Sequence, residues 1–333
     1  VHESQDNILI SALAGAAKTT TLVLIAEALR AHPMLFLAFN KRIQLEMQER
    51  LPGNCTAMTL NGIGHKVWMQ AIGKRLTVDT AKNYNLLQAA IEELPGAQRS
   101  EAYGIMSETL RAIEHGKMCG YLPNGRFRDA KPLVGDDEFF ASLEEEPSEL
   151  QESLIRKVTI ESALLSLKGI IDFNDQILMP TCFFGTFPKF PVVGVDEAQD
   201  LSALNHVMLR KIVRTSRLIA VGDANQSIYG FRGAHEDSME LLAQTFSMKR
   251  AELTISFRCP VAVVKAARFR APAMQWPEWA KEGNVTTLSE WSVENIPLNA
   301  TVLCRNNAPL FSCAIALLKN GRYPELVGND IGK

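Results

Sequence analysis

The chain has 333 residues, 47% of them hydrophobic, with a formal net charge of -2. That length supports two or three domains with cores of their own. The near-neutral balance excludes a global basic field, the kind that draws nucleic acid to a whole surface, and leaves a local groove open. Cys55, Cys119, Cys182, Cys259, Cys304 and Cys313 form no CxxC or Cys/His ladder, so they read as reduced thiols serving as buried small hydrophobes, not as a disulfide frame or zinc site. The N-terminus is polar, and Glu27 and Arg30 interrupt the best candidate for a membrane span. The expected location is therefore cytoplasmic, with no membrane partner. The first residue is Val rather than Met, which suggests a fragment or a processed product.

Asn7 to Leu13 reads as a buried strand, Ala14 to Lys18 as a tight turn, and Thr19 to Arg30 as a helix with Leu22, Ile25, Ala26 and Leu29 on one face. A strand, a turn of small residues and Lys-Thr opening a helix is the context of a phosphate loop. Its members are Ala14, Gly15, Ala16, Ala17, Lys18, Thr19 and Thr20. Turn N–H groups and the helix N-terminus face the phosphates. Lys18 reaches the β- and γ-phosphates, and the Thr19 hydroxyl ligates Mg²⁺. The general pattern is G-x-x-x-x-G-K-[ST]. Here Ala12 and Ala17 stand at the two outer glycines and only Gly15 remains. If position 17 needs φ > 0, alanine costs about 1–2 kcal/mol there. Alone, the stretch also fits a plain strand–helix turn.

Met34 to Phe39 is a second strand, followed by Asn40, Lys41 and a helix bearing Ile43, Met47 and Leu51. Thr56 to Thr59 is a third, ending in Leu60 to His65. Polar groups at these two strand ends suit a groove for a phosphate backbone, or ordinary helix-start chemistry. Residues 66–170 read as largely helical, with Leu86, Leu87, Ala90 and Ile91 at helical spacing, as are Tyr103 to His115 and Glu149 to Lys168. The acidic runs Asp136 to Glu138 and Glu144 to Glu146 read as loop-like solvated faces. This block resembles a helical insertion in an α/β domain. Asp172 to Gln176 reads as a surface turn or as a device near the triphosphate.

Pro191 to Asp200 (PVVGVDEAQD) reads as a strand buried on both faces that delivers carboxylates at its C-terminal end, where ligands sit in open α/β sheets. Of Asp196 and Glu197, one serves a hydrated Mg²⁺ and the other a water. Leu201 to Val213 is a helix. Arg217 to Val221 is another buried strand, ending in a run with Gln226, Tyr229, Phe231 and Arg232 between glycines. Glu252 to Ser256 begins a second strand-and-helix series, with Phe257, Arg258 and a helix from Pro260. Thr301 to Cys304 and Pro324 to Val327 read as strands around a helix from Pro309 to Leu318, with Phe311, Ile315 and Leu318 on one face. Trp276, Trp279 and Trp291 fit packing beneath a loop better than stacking on bases.

With AGAAKTTT, VDEAQD, GDANQSIYGFRGA and ISFRCP in this order, the chain resembles the UvrD/Rep-type superfamily 1 DNA helicases over nearly its whole length. The resemblance implies an α/β fold: a P-loop RecA-like parallel sheet with a helical insertion, plus a partial second RecA-like domain. The implied domains are 1–65 with 171–250, the insertion 66–170, and the partial second domain 251–333. ATP and Mg²⁺ would bind between the RecA-like domains, and single-stranded DNA would cross both. By resemblance, Asp196 is the Mg²⁺-side carboxylate and Glu197 polarises the attacking water. Gln226 senses the γ-phosphate, Phe257 stacks on adenine and Arg258 is a γ-phosphate arginine. Phe231 matches a base-stacking aromatic. Tyr229, Arg232, Asn40, Lys41 and Thr59 match positions near the strand, and Asn61 stands where many relatives carry His. The implied activity is 3′-to-5′ translocation and unwinding at duplex junctions. The motif that reads adenine and the last two motifs, which carry an arginine finger, have no counterpart in these 333 residues. An arginine finger is worth about 10³–10⁵ in rate, so this chain alone is expected to hydrolyse ATP poorly and not to unwind duplex. The alternatives are a catalytically weak DNA-binding or regulatory P-loop module, and an RNA-directed helicase.

Overall fold

The computed structural model describes residues 4–227, 237–304 and 306–325. It divides into two compact units, 1–282 and 283–333. In the first unit, β1 (Ile8–Ala12) leads to α1 (Lys18–Ala28), β2 (Met34–Ala38) to α2 (Lys41–Arg50), and β3 (Cys55–Thr59) to α3 (Leu60–Ile72). Then come β4 (Thr77–Val78), α4 (Lys82–Glu92), α5 (Gly96–Gly104), α6 (Met106–Cys119), α7 (Asp136–Ala141), α8 (Glu149–Leu167), β5 (Ile170–Ile171) and α9 (Asp175–Cys182). The chain returns through β6 (Val192–Val195), α10 (Ala203–Val213), β7 (Arg217–Gly222), α11 (Ser238–Thr245), β8 (Lys249–Leu253) and α12 (Val261–Ala267). In the second unit, α13 spans Asn307–Lys319, and Arg322 donates to the carbonyls of Val293, Ile296 and Pro297 at 2.7–2.9 Å.

Six strands form one parallel sheet in the order β3-β2-β6-β7-β1-β8. Every residue of β2 and β6 is buried, as parallel strands covered on both faces must be. Side chains alternate between two apolar layers. Leu9, Leu35, Leu37, Val193, Val195, Leu218 and Ala220 join a core with residues of α3, α9, α10 and α11. Ile10, Phe36, Ala38, Ile219 and Val221 join the opposite core with α1 and α2. A third core, built from Leu87, Ile91, Ile113, Tyr121, Phe139, Leu154 and Val158, belongs to the helical block between β3 and β6. Helices α3 and α9 pack tightly against each other. A Cβ on Gly64 would lie 1.8 Å from the Gln176 carbonyl oxygen, so only glycine permits that approach.

Several local expectations are corrected. Asp136 to Glu138 form the first turn of α7, where three carboxylates complement the positive end of the helix. The helix expected over Tyr103 to His115 is two, α5 and α6, meeting at Ile105. Thr301 to Cys304 form no strand. Asp172 to Gln176 are not a surface turn, since Asp172, Asp175 and Gln176 are buried. Trp279 and Trp291 are exposed, at 70% and 55%, and Cys304 is exposed as well. The strand placed at Glu252 to Ser256 runs instead over Lys249–Leu253 and pairs with β1 at the edge of the sheet.

Candidate functional site

The C-terminal ends of β1, β6 and β7 meet at one edge of the sheet. Ser11 stands opposite Gly222 and Val195 opposite Ala220, so the segments leaving these strands emerge side by side. From β1 the chain makes a tight turn into α1. Gly15 has φ 77° and Ala17 φ 59°, both left-handed. Position 17 therefore does require φ > 0, and alanine carries the cost of about 1–2 kcal/mol. The turn aims the open N–H groups of an 11-residue helix at the space before Lys18, the arrangement that attracts phosphate. Thr20 Oγ1 accepts from Arg50 Nη2 at 2.9 Å, which ties α1 to α2.

The carboxylates at the end of β6 face this turn. Lys18 Nζ donates to Glu197 Oε2 at 2.6 Å, and Thr19 Oγ1 donates to Asp196 Oδ2 at 3.1 Å. Glu197 also has a left-handed backbone, φ 51°, and its N–H donates to Asp196 Oδ1 at 3.0 Å. Asp196 is 3% exposed. Burial, then the charge of Glu197, pushes its carboxyl up to about 6. Asp200 is also raised to about 6, by burial and then by Glu197. A crowded, acid-rich corner of this kind favours a cation. The Thr19 hydroxyl and Asp196 carboxylate are hard oxygen donors beside the phosphate turn, which suits Mg²⁺ held jointly with phosphate oxygens. Among the described residues, no group of three or more His, Cys, Asp or Glu side chains is arranged to hold a metal ion.

From β7, Asp223 caps a short turn. Its Oδ1 accepts from Asn225 N at 3.0 Å and its Oδ2 from Gln226 Nε2 at 2.5 Å. From β8, Phe257 N donates to the Gly15 carbonyl at 3.0 Å. A Cβ on Gly15 would lie 2.6 Å from Ser256 Oγ and 2.8 Å from Arg258 Cβ, which places Arg258 against the phosphate turn. Phe257, 53% exposed, stacks with Trp279 at 6.3 Å between ring centroids. The two rings line a 280 Å³ pocket with Arg258, Cys259, Pro260, Pro277 and Lys281.

The structure thus brings Ala14 to Thr20, Asp196, Glu197, Phe257 and Arg258 together, with Gln226 at the tip of a neighbouring strand. Tyr229, Phe231 and Arg232 lie outside the described residues. Asn40 and Thr59 sit at adjacent strand ends and act as helix caps: Asn40 Oδ1 accepts from Ile43 N and Thr59 Oγ1 from Gly62 N, both at 2.9 Å. Lys41 is exposed and bonds Gln44. Asn61 Nδ2 donates to the Phe173 carbonyl at 2.8 Å.

Sequence reasoning passed over Phe173, which is 58% exposed between two buried aspartates. Asp172 and Asp175 bond each other's backbone N–H groups at 2.8–2.9 Å. Lys117 Nζ reaches Asp172 at 2.5 Å and Asp175 at 2.7 Å, Lys82 Nζ bonds Asp175, and Asn83 Nδ2 donates to Asp172 at 2.9 Å. The signal was an aromatic set between acids, with two lysines far upstream on helical faces.

The profile of the UvrD/REP helicase N-terminal domain matches residues 1–247. The chain is 26% identical over 335 residues to the F-box DNA helicase protein 1 of Schizosaccharomyces pombe, covering 92% of this chain and 36% of that protein. It is 23% identical over 325 residues to the ATP-dependent DNA helicase PcrA of Leuconostoc citreum, covering 86% and 41% respectively. It is 32% identical over 115 residues to the ATP-dependent DNA helicase Rep of Escherichia coli, covering 32% and 17%. The chain spans well under half the length of these relatives. With a parallel six-stranded sheet carrying a phosphate turn opposite paired carboxylates, and a family profile over residues 1–247, the chain belongs to the UvrD/REP helicase family.

Proposed function

We propose that this chain is the ATP-handling part of a 3′-to-5′ single-stranded DNA translocase and helicase. The carrying observation is the convergence of Lys18, Thr19, Asp196 and Glu197, from two distant segments, at one edge of one sheet. Lys18 and the turn N–H groups bind the triphosphate. Thr19 and Asp196 would hold Mg²⁺, which would supply charge neutralisation at the phosphates. Glu197 accepts a proton from the attacking water, Gln226 senses the terminal phosphate, and Arg258 offsets charge that develops there. The exposed face of Phe257 takes the adenine.

Single-stranded DNA follows the C-terminal ends of β2 and β3, past Asn40, Lys41, Thr59 and Asn61, and on toward Tyr229, Phe231 and Arg232. Exposed Phe173 beside Asn61 supports that path. Residues 1–65 and 171–250 act as the first RecA-like domain, 66–170 as its insertion, and 251–333 as part of a second. DNA junctions inside the cell are the proposed substrate. Among the described residues no helix is long and apolar enough to cross a membrane.

One observation favours a second reading, a catalytically weak DNA-binding or regulatory P-loop module: Ala17 in a left-handed turn. Nucleotide titration of Lys18→Ala separates the two. The ATP-driven reading expects affinity to fall at least about tenfold, the scale of a lost charge-assisted contact. Unchanged affinity would mean the phosphate turn is vestigial. Competition between matched DNA and RNA strands decides the nucleic acid.

A further inference from the structure

Glu197 has a second partner that the roles above leave unused. Gln199 is 3% exposed. Its Nε2 donates to Glu197 Oε2 at 2.7 Å, and its Oε1 accepts from the backbone N–H of Asp223 at 2.9 Å. Chemistry fixes the orientation of this amide. A backbone N–H only donates, so the oxygen faces Asp223 and the NH₂ faces the carboxylate. Gly222 makes the room: a Cβ there would lie 2.7 Å from Gln199 Oε1 and 3.2 Å from Ala198 N. Asp223 in turn holds Gln226, through Oδ2 to Nε2 at 2.5 Å and through its carbonyl to the Gln226 N–H at 2.9 Å. One buried side chain therefore bridges the tip of β6 to the tip of β7.

We propose that Gln199 is a positioning residue that holds the Glu197 carboxylate and the Gln226 turn in one register around the terminal phosphate. This rests on the roles proposed above for Glu197 and Gln226. Lys18 Nζ and Gln199 Nε2 bond the same oxygen, Oε2, at 2.6 and 2.7 Å. A triphosphate that draws Lys18 to itself removes the first bond. Gln199 then keeps Oε2 tethered, and Oε1 turns toward water. Positioning of this kind governs rate because small displacements of a base from its water are costly.

The test compares affinity for Mg·ADP with affinity for ADP plus aluminium fluoride, which mimics the phosphoryl group in transit with its in-line water. It uses the 333-residue chain. Gln199→Met keeps the length and loses both hydrogen bonds; Gly222→Ala crowds the amide from the other side. Each variant is expected to bind ADP within about twofold of the parent and the fluoride complex about tenfold more weakly. In a Glu197→Gln background, Gln199→Met should add little further loss. Equal losses for both ligands would reduce Gln199 to a scaffold residue and overturn the proposal. Unchanged affinities, or additive losses in the double variant, would overturn it too. The two readings fail separately. Indifference to Lys18→Ala sinks the ATP site itself, whereas a normal Lys18→Ala loss with an intact fluoride complex in Gln199→Met sinks only the role of Gln199.

Discussion

Lys18 and Glu197 form a 2.6 Å ion pair between the phosphate turn and the end of β6. Both partners are mostly shielded, with side chains 12% and 24% exposed. Left-handed backbone positions set both partners: Ala17, just before the lysine, and Glu197 itself. In the proposed cycle the lysine serves phosphate and the carboxylate serves water, so the pair must part when nucleotide arrives.

Glu197→Gln therefore has two expected effects of opposite kind. The amide removes the anion that competes with phosphate for Lys18, so nucleotide affinity is retained or rises severalfold. It also removes the proton acceptor, so hydrolysis falls by about 10²–10⁴. Nucleotide titration and phosphate release measure the two separately. Weaker binding in the variant would mean that the ion pair supports the site and does not compete with it.

Ala17→Gly isolates the cost of the departure from the usual phosphate loop. The left-handed turn costs alanine about 1–2 kcal/mol. Glycine gives back about 0.4–1 kcal/mol through the entropy of the unfolded chain. The net expectation is a gain of about 0–1.6 kcal/mol in unfolding free energy, with tighter ATP binding as the methyl leaves the phosphate approach. A loss of stability on denaturant titration would show that the turn is relaxed with alanine in place.

How far the sequence revealed these features depends on how local each signal is. The buried strands were legible because apolar runs such as those of β2 and β6 have few other uses, and the phosphate turn because its spacing is rigid. The partnership of Lys18 with Glu197 follows once both are placed at strand ends of one sheet. The burial of Asp172 and Asp175 was not legible. Their partners Lys82 and Lys117 lie 55 to 93 positions away on other helices, and acids near a proline read locally as a turn. Gln199 was hidden for a similar reason: its proposed role lies in what both ends of one amide touch, and one of those contacts is a backbone N–H just past the end of another strand.

The buried network makes a pH-dependent prediction. Two lysines face two aspartates at net zero charge, all under 10% exposed. Burial alone would raise the Asp175 carboxyl, but the charges of Lys117 and Lys82 outweigh it and hold the group below its ordinary value. Burial would lower Lys117, and Asp175 with Asp172 raises it instead. The depressed Asp175 adds stability above its unfolded value, and that contribution disappears only as the pH falls through the still lower folded value, so the parent network is intact near neutrality. Lys117→Met leaves a surplus buried negative charge and should cost about 3–5 kcal/mol. In that variant one carboxyl gains proton affinity, so the deficit should be smaller at about pH 5 than at about pH 8. A deficit independent of pH would mean that Lys117 acts by packing alone.

The same network mounts Phe173. The buried Asp172 and Asp175 flank it, its carbonyl is held by Asn61 at 2.8 Å, and its ring is 58% exposed. The proposed strand path would bring a base against this exposed ring. Phe173→Ala should weaken single-strand binding by about 1–3 kcal/mol with nucleotide affinity unchanged. The slope of affinity against salt should stay the same, because stacking releases no counterions, whereas Lys41→Ala should flatten that slope with a smaller loss at high salt. Phe231→Ala should behave like Phe173→Ala if both rings face the strand. If Phe173→Ala instead changes nucleotide and DNA affinity equally, the ring is packing the site, and the strand must run elsewhere.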